Sequence, residues 1–180
     1  YLTFKKKIEE SGYILDYPNK EVRDSFSQII LLGTYNIDQT AESGIALDIL
    51  MGFQDGDFDR AFAAMNRTLA AIPFNLYDEK ESYYHSVLLT LLWACGLDVQ
   101  AEERGSRGMA DLVLKHKGNV WIMELKKAPP EVSLKQIKDR GYAEKYRSEG
   151  NVTLAGIEID SGARNFKSYA LEKTGQSITH

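Results

Sequence analysis

A chain of 180 residues has room for one domain with a packed core, or for one domain and a small appendage. Its 43% apolar and 27% charged shares are those of an ordinary globular protein, and its longest apolar stretch, Val87 to Gly96 interrupted by Thr90, falls short of the ~20 residues a spanning helix needs. The net charge of −4 argues against a broad basic surface that grips nucleic acid, while one cysteine and three scattered histidines exclude an internal disulfide and an ordinary structural zinc site.

The lone Cys95 fits a reducing cytoplasm. The start Tyr1-Leu-Thr-Phe-Lys-Lys-Lys turns polar within four residues, so no signal peptide is expected, and a first residue of Tyr suggests a piece of a longer protein.

In chain order, residues 1–17 alternate as a hairpin would, Tyr1–Lys5 and Gly12–Tyr17 around Glu-Glu-Ser-Gly. Glu21–Tyr35 is predicted as a helix with Val22, Phe26, Ile29, Ile30 and Leu32 on one side. A second helix, Thr40–Met51, is expected to break at Gly52 and the polar Gln54-Asp55-Gly56-Asp57. Asp57 is a candidate N-cap for a third, Phe58–Ile72, which Pro73 stops. Asp78 opens a fourth, ended after Cys95 by Gly96.

Beyond Gly96 the period changes from helical to two-fold. Leu97–Glu103, Met109–Lys115 and Val120–Lys126 are predicted strands, with His116-Lys-Gly-Asn119 as a tight turn. Ser133–Arg147 is predicted as a helix, and Val152–Asp160 and Phe166–Glu172 as two further strands. Such an order describes a mixed central sheet flanked by helices, an α/β sandwich. The basic residues gather in this half: Lys115, His116, Lys117, Lys126, Lys127, Lys135, Lys138, Arg140, Lys145 and Arg147.

Two short apolar runs, Ala110-Asp-Leu-Val-Leu114 and Trp121-Ile-Met-Glu-Leu-Lys126, each hold a charge that packing alone does not explain. Alternation puts Trp121, Met123 and Leu125 on one face of the second run, and Ile122, Glu124 and Lys126 on the other. A turn centred near Gly118 pairs residues whose numbers sum to about 235–236, which sets Asp111 opposite Glu124 and Leu125. Two carboxylates converging in a half-buried sheet repel each other unless a cation lies between them. Mg²⁺ or Mn²⁺ suits such a site, held by Asp111, Glu124 and the backbone carbonyl of Leu125. It would activate water for attack on phosphorus, with the Lys126 ammonium orienting that water or offsetting the developing charge.

Asp111, a short hairpin, then Glu124-Leu-Lys126 closing an apolar strand resembles the PD-(D/E)XK nuclease superfamily. More narrowly, the chain resembles the C-terminal nuclease-like domain of bacterial proteins that begin with an AAA-ATPase-like domain. The segments that carry this are Tyr83–Leu89, Gly108–Leu114, Ile122–Lys126 and Gln136–Tyr146, with Gly12–Asn19 and Glu21–Phe26 similar to the tail of the ATPase-like region. Met109 stands two before Asp111 where such domains commonly carry Arg, and the usual Pro before the Asp is absent.

The resemblance implies a restriction-endonuclease-like core over residues 76–180, with 39–75 a helical extension and 1–38 the hairpin-helix tail of an upstream ATPase-like region. It implies a cytoplasmic, metal-dependent nuclease acting on DNA under control of that ATPase domain. The rival expectations are an inactive module of the same fold that binds nucleic acid or protein, and a docking platform built from residues 1–75. Further site candidates are Glu81 and His85, which share a helix face; Glu102, nine residues before Asp111; and Gln136 and Tyr142 on the helix after the catalytic strand. Each has a plain alternative: a surface pair, a solvated strand end, an exposed amide, or Tyr142 packing against Tyr146. A Glu124–Lys126 or Asp111–Lys126 ion pair is the plain alternative for the centre itself.

Overall fold

The computed structural model describes residues 2–8, 12–34, 39–105, 108–146 and 148–174, the side chains of 8, 12–14, 32, 34, 39–43, 102–105 and 108–110 excepted. An N-terminal hairpin, β1 (Thr3–Ile8) and β2 (Gly12–Asp16), leads into α1 (Lys20–Ile29), which runs on as a π-helical turn, Ile30–Thr34. α2 (Gln39–Asp55), α3 (Phe58–Ala71), a 3₁₀ turn at Phe74–Leu76 and α4 (Glu81–Ala94) follow. Then come β3 (Asp98–Gly105), β4 (Gly108–His116), β5 (Asn119–Lys126), α5 (Pro130–Asp139), α6 (Tyr142–Tyr146), β6 (Asn151–Asp160) and β7 (Asn165–Thr174).

The five strands lie in sequence order, β3-β4-β5-β6-β7. All pairs are antiparallel except β5–β6, and that parallel pair requires a crossover, which α5 and α6 supply. β5 is central and buried along nearly its whole length, as a strand covered on both faces must be. The expected mixed sheet with flanking helices and an N-terminal hairpin is present, and it fits a restriction-endonuclease-like fold.

Alternation along β5 divides the core. Trp121, Met123 and Leu125 face a large cluster with α2, α3 and α4. There Trp121 packs on Phe53 and Phe58 with centroids 5.3 and 5.4 Å apart. Val120 and Ile122 face a smaller cluster with Ile137, Tyr142 and Tyr146 of α5 and α6. Asn66 of α3 donates to the Phe166 carbonyl at 2.9 Å and accepts its N–H at 2.8 Å, which ties α3 to β7. α1 is tied to the far end of α4: Lys20, Gln28 and Arg23 donate to the carbonyls of Gly96 (2.7 Å), Ala94 (3.1 Å) and Leu97 (3.4 Å). The Ala94 carbonyl is one that the helix end leaves without an intrahelical partner, and the other two lie in the turn that follows.

Four expectations are corrected. α2 does not break at Gly52; the glycine is buried, and a Cβ there would come within 2.8 Å of Ala61 and the Asp57 carbonyl. Close approach of α3, not helix termination, explains that residue. α4 begins at Glu81 because Asp78 spends its carboxylate on the Lys80 N–H at 2.9 Å in the preceding turn. The helix expected over Ser133–Arg147 starts earlier, with Pro130 at its first turn, and splits in two where Gly141 takes φ 67°. Finally, Phe26 and Ile29 of α1 stand 47% and 65% exposed, while Ser27 and Leu31 are buried in their place. The hairpin turn at residues 9–11, Tyr35 and Arg147 lie outside the described residues.

No helix among the described residues is long and apolar enough to cross a membrane.

Candidate active site

The β4–β5 turn takes positive φ at both Lys117 (46°) and Gly118 (80°), the type I′ geometry that matches strand twist. It fixes the register from His116↔Asn119 to Leu112↔Met123, every pair summing to 235. The next pair on this count is Asp111 with Glu124, but there the ladder stops. β4 stays paired with β3 as far as Gly108 and departs from β5. Asp111 occupies the opening and bridges it with its side chain: Oδ2 accepts the Leu125 N–H at 2.8 Å.

Within a strand, a residue's N–H and C=O leave toward the same neighbour. The Leu125 carbonyl therefore also faces the side on which Asp111 lies. The same Oδ2 is 2.8 Å from His85 Nε2 of α4.

Glu124 projects to the α5 side and is only 2% exposed. Gln136 donates from α5 to its Oε1, and the Lys126 ammonium, partly exposed at the strand end, is 3.8 Å from the same oxygen. Glu124 Oε2 is buried and has no hydrogen-bond partner among the described residues. Burial pushes the Glu124 carboxyl up to about 7; the Asp111 charge adds to this, and Lys126 and Arg140 pull the other way.

Sequence reasoning thus placed Asp111, Glu124 and Lys126 together, and Gln136 and His85 touch the acidic pair directly. Glu81 sits at the rim, where its Oε1 accepts the Lys127 N–H at 2.8 Å. Tyr142 is buried beside the site, its hydroxyl accepting from Arg140 Nη1 at 3.1 Å. Burial raises the Tyr142 hydroxyl above its ordinary range. Glu102 lies on β3, but its side chain is outside the described residues.

Two residues of the site were not among the candidates read from the sequence. Arg140 feels the charges of both Glu124 and Asp111, and its signal was its place one turn after Gln136. Gly156 pairs with Glu124 across β5–β6, and a lone glycine inside an apolar strand is the mark of a close backbone approach.

Among the described residues, no group of three or more His, Cys, Asp and Glu side chains is placed to hold a metal ion. A hard divalent cation does not need one, since carboxylates, a carbonyl and waters suffice.

A five-stranded mixed sheet with an acidic pair at a strand divergence and a lysine just beyond defines a restriction-endonuclease-like protein. A family model for the PD-(D/E)XK nuclease superfamily matches residues 79–169, and the chain belongs to that superfamily. It is also similar to the uncharacterized protein in the vnfD 5′ region of Azotobacter chroococcum mcd 1, 32% identical over 174 residues, a match that takes in 91% of this chain. The chain spans 33% of the length of that relative. No solved structure matches it.

Proposed function

We propose that the chain is a divalent-metal-dependent nuclease that hydrolyses phosphodiester bonds of DNA, with Asp111, Glu124 and Lys126 as its catalytic residues. The observation that carries this reading is Glu124 Oε2, a buried carboxylate oxygen with no hydrogen-bond partner among the described residues, at the point where the β4–β5 ladder stops beside Asp111. A polar atom so placed is costly unless something meets it. Oxygens of Asp111 and Glu124 and the Leu125 carbonyl form a hard donor set that fits Mg²⁺ or Mn²⁺. When bound, such an ion polarises a phosphoryl oxygen and lowers the pKa of the attacking water.

The protein's own groups do the rest. Gln136 holds the Glu124 carboxylate in orientation through Oε1, which leaves Oε2 for coordination. The Leu125 N–H and His85 hold Asp111. Lys126, a compact point charge at the strand end, orients the nucleophilic water and offsets charge developing on the phosphorane.

In the same reading, residues 1–38 are the tail of an upstream ATPase-like region, 39–75 a connecting extension and 76–180 the nuclease domain of a cytoplasmic bacterial protein, with the ATPase domain as regulator. The greater length of the Azotobacter relative supports a longer whole.

Calorimetric titration of Mn²⁺ into wild type and Asp111→Ala, followed by plasmid nicking with Glu124→Ala and Lys126→Ala, tests the proposal. Metal binding lost in Asp111→Ala and nicking lost in the other two is the expected result. A wild type that nicks no faster than its variants leaves a binding module of the same fold.

A further inference from the structure

Arg140 stands beside the acidic pair without belonging to it. It caps α5 one turn after Gln136, so both side chains leave the helix on one face, and Gln136 reaches Glu124. Its backbone is fixed by bonds from its N–H to the carbonyls of Gln136 and Lys138. Gly141, in the left-handed region, then turns the chain so that Tyr142 re-enters the core. There the Tyr142 hydroxyl accepts from Nη1 at 3.1 Å and aims the guanidinium. A guanidinium offers five donors in a planar fork that matches the oxygens of a phosphate.

A cation held by Asp111 and Glu124 would cancel the negative charge that Arg140 now faces. The guanidinium, still half-buried and still aimed, would then stand over the position where the substrate's phosphate must lie. We propose that Arg140 is the phosphate-binding residue of this site, its fork taking a non-bridging oxygen of the nucleic-acid phosphate adjoining the acidic pair, with Tyr142 as its positioning residue. This rests on the nuclease reading above.

A mere counter-charge and a phosphate ligand differ in their signatures. Removing a counter-charge changes metal binding alone; removing a phosphate ligand weakens the hold on nucleic acid while metal affinity stays level or rises, because a repelling cation has gone.

The test measures Mn²⁺ affinity by calorimetry, and affinity for a short labelled DNA duplex and a labelled RNA hairpin by anisotropy in Ca²⁺. Wild type, Arg140→Gln, Arg140→Lys and Tyr142→Phe are compared on whichever nucleic acid binds better. The expected result for Arg140→Gln is affinity lower by about tenfold or more, with the slope of log affinity against log salt reduced by about one. Arg140→Lys recovers the slope but not the full affinity, Tyr142→Phe falls between, and Mn²⁺ affinity does not decline in any of them.

Unchanged affinity and slope in Arg140→Gln, beside a wild type that binds Mn²⁺ and nicks DNA, overturns this proposal alone. So does a parallel loss of Mn²⁺ affinity, nucleic-acid affinity and melting temperature in all three variants, which marks a structural role. A wild type that binds neither Mn²⁺ nor nucleic acid overturns the nuclease reading and this one with it.

Discussion

Glu124 and Gly156 lie side by side in the parallel β5–β6 pair, and the missing side chain of one decides how the other is held. A Cβ on Gly156 would stand 2.1 Å from the Pro130 carbonyl and 3.0 Å from the Leu134 nitrogen. The first turns of α5 therefore rest directly on β6, and that contact brings Gln136 down onto Glu124.

Gly156→Ala must push α5 away, since backbone and not a flexible side-chain tip is in the way. It is expected to cost about 1–3 kcal/mol of stability and to weaken Mn²⁺ binding, because Gln136 leaves Glu124. Gly52→Ala, crowded at 2.8 Å against Ala61 and the Asp57 carbonyl, should also cost about 1–3 kcal/mol but leave Mn²⁺ affinity of the folded protein unchanged. Urea unfolding and calorimetry on both variants check the pair; equal Mn²⁺ affinities in the two would remove Gly156 from the support of the site.

The raised Glu124 carboxyl makes the metal-free protein sensitive to pH. With a folded pKa of about 7 against an ordinary 4.5, the native state binds more protons than the unfolded state between those values, so stability falls as pH rises through this window. The loss is complete above about pH 7 and amounts to up to about 3 kcal/mol. Glu124→Gln should therefore be more stable than wild type near pH 8 and about equal to it near pH 4, as read by thermal melts without divalent ions.

Metal binding needs the ionised carboxylate, so Mn²⁺ affinity is expected to drop toward tenfold per unit as pH falls below about 7. Gln136→Leu removes a donor that favours the charged form and should move this acid limb to higher pH. Limbs that coincide in wild type and Gln136→Leu would show that the amide does not act on Glu124.

Asp111→Asn acts in the opposite sense. The amide oxygen can still accept the Leu125 N–H, so the strand ends stay together, but the charge that raises Glu124 is gone. The Glu124 carboxyl should titrate at lower pH than in wild type, which ¹³C NMR of the labelled side chain would detect, while Mn²⁺ binding weakens by about tenfold or more.

The sheet and the acidic pair were legible because both rest on local rules. The period-two pattern of Trp121–Lys126 fixed the faces, and Lys117-Gly118 fixed the register on which Asp111 and Glu124 meet. What escaped was set by contacts distant in sequence. Gly52 carries the composition of a helix breaker, and only the approach of Ala61 gives it another use. Phe26 and Ile29 follow helical spacing for a buried face, yet α1 is held by polar bonds to Ala94, Gly96 and Leu97 along a different side. Arg140 looked like one more charge on a basic helix, because the helical spacing runs on past Gly141 and hides the kink that returns Tyr142 to grip it.

α4 spans about 21 Å, with α1 fastened at its last turn and Glu81 and His85 at its first two. Neither glycine nor proline interrupts its 14 residues, so it has no built-in joint at which to bend. One unbroken helix therefore carries both the groups that hold α1 and the groups that hold Asp111 and the first peptide beyond Lys126.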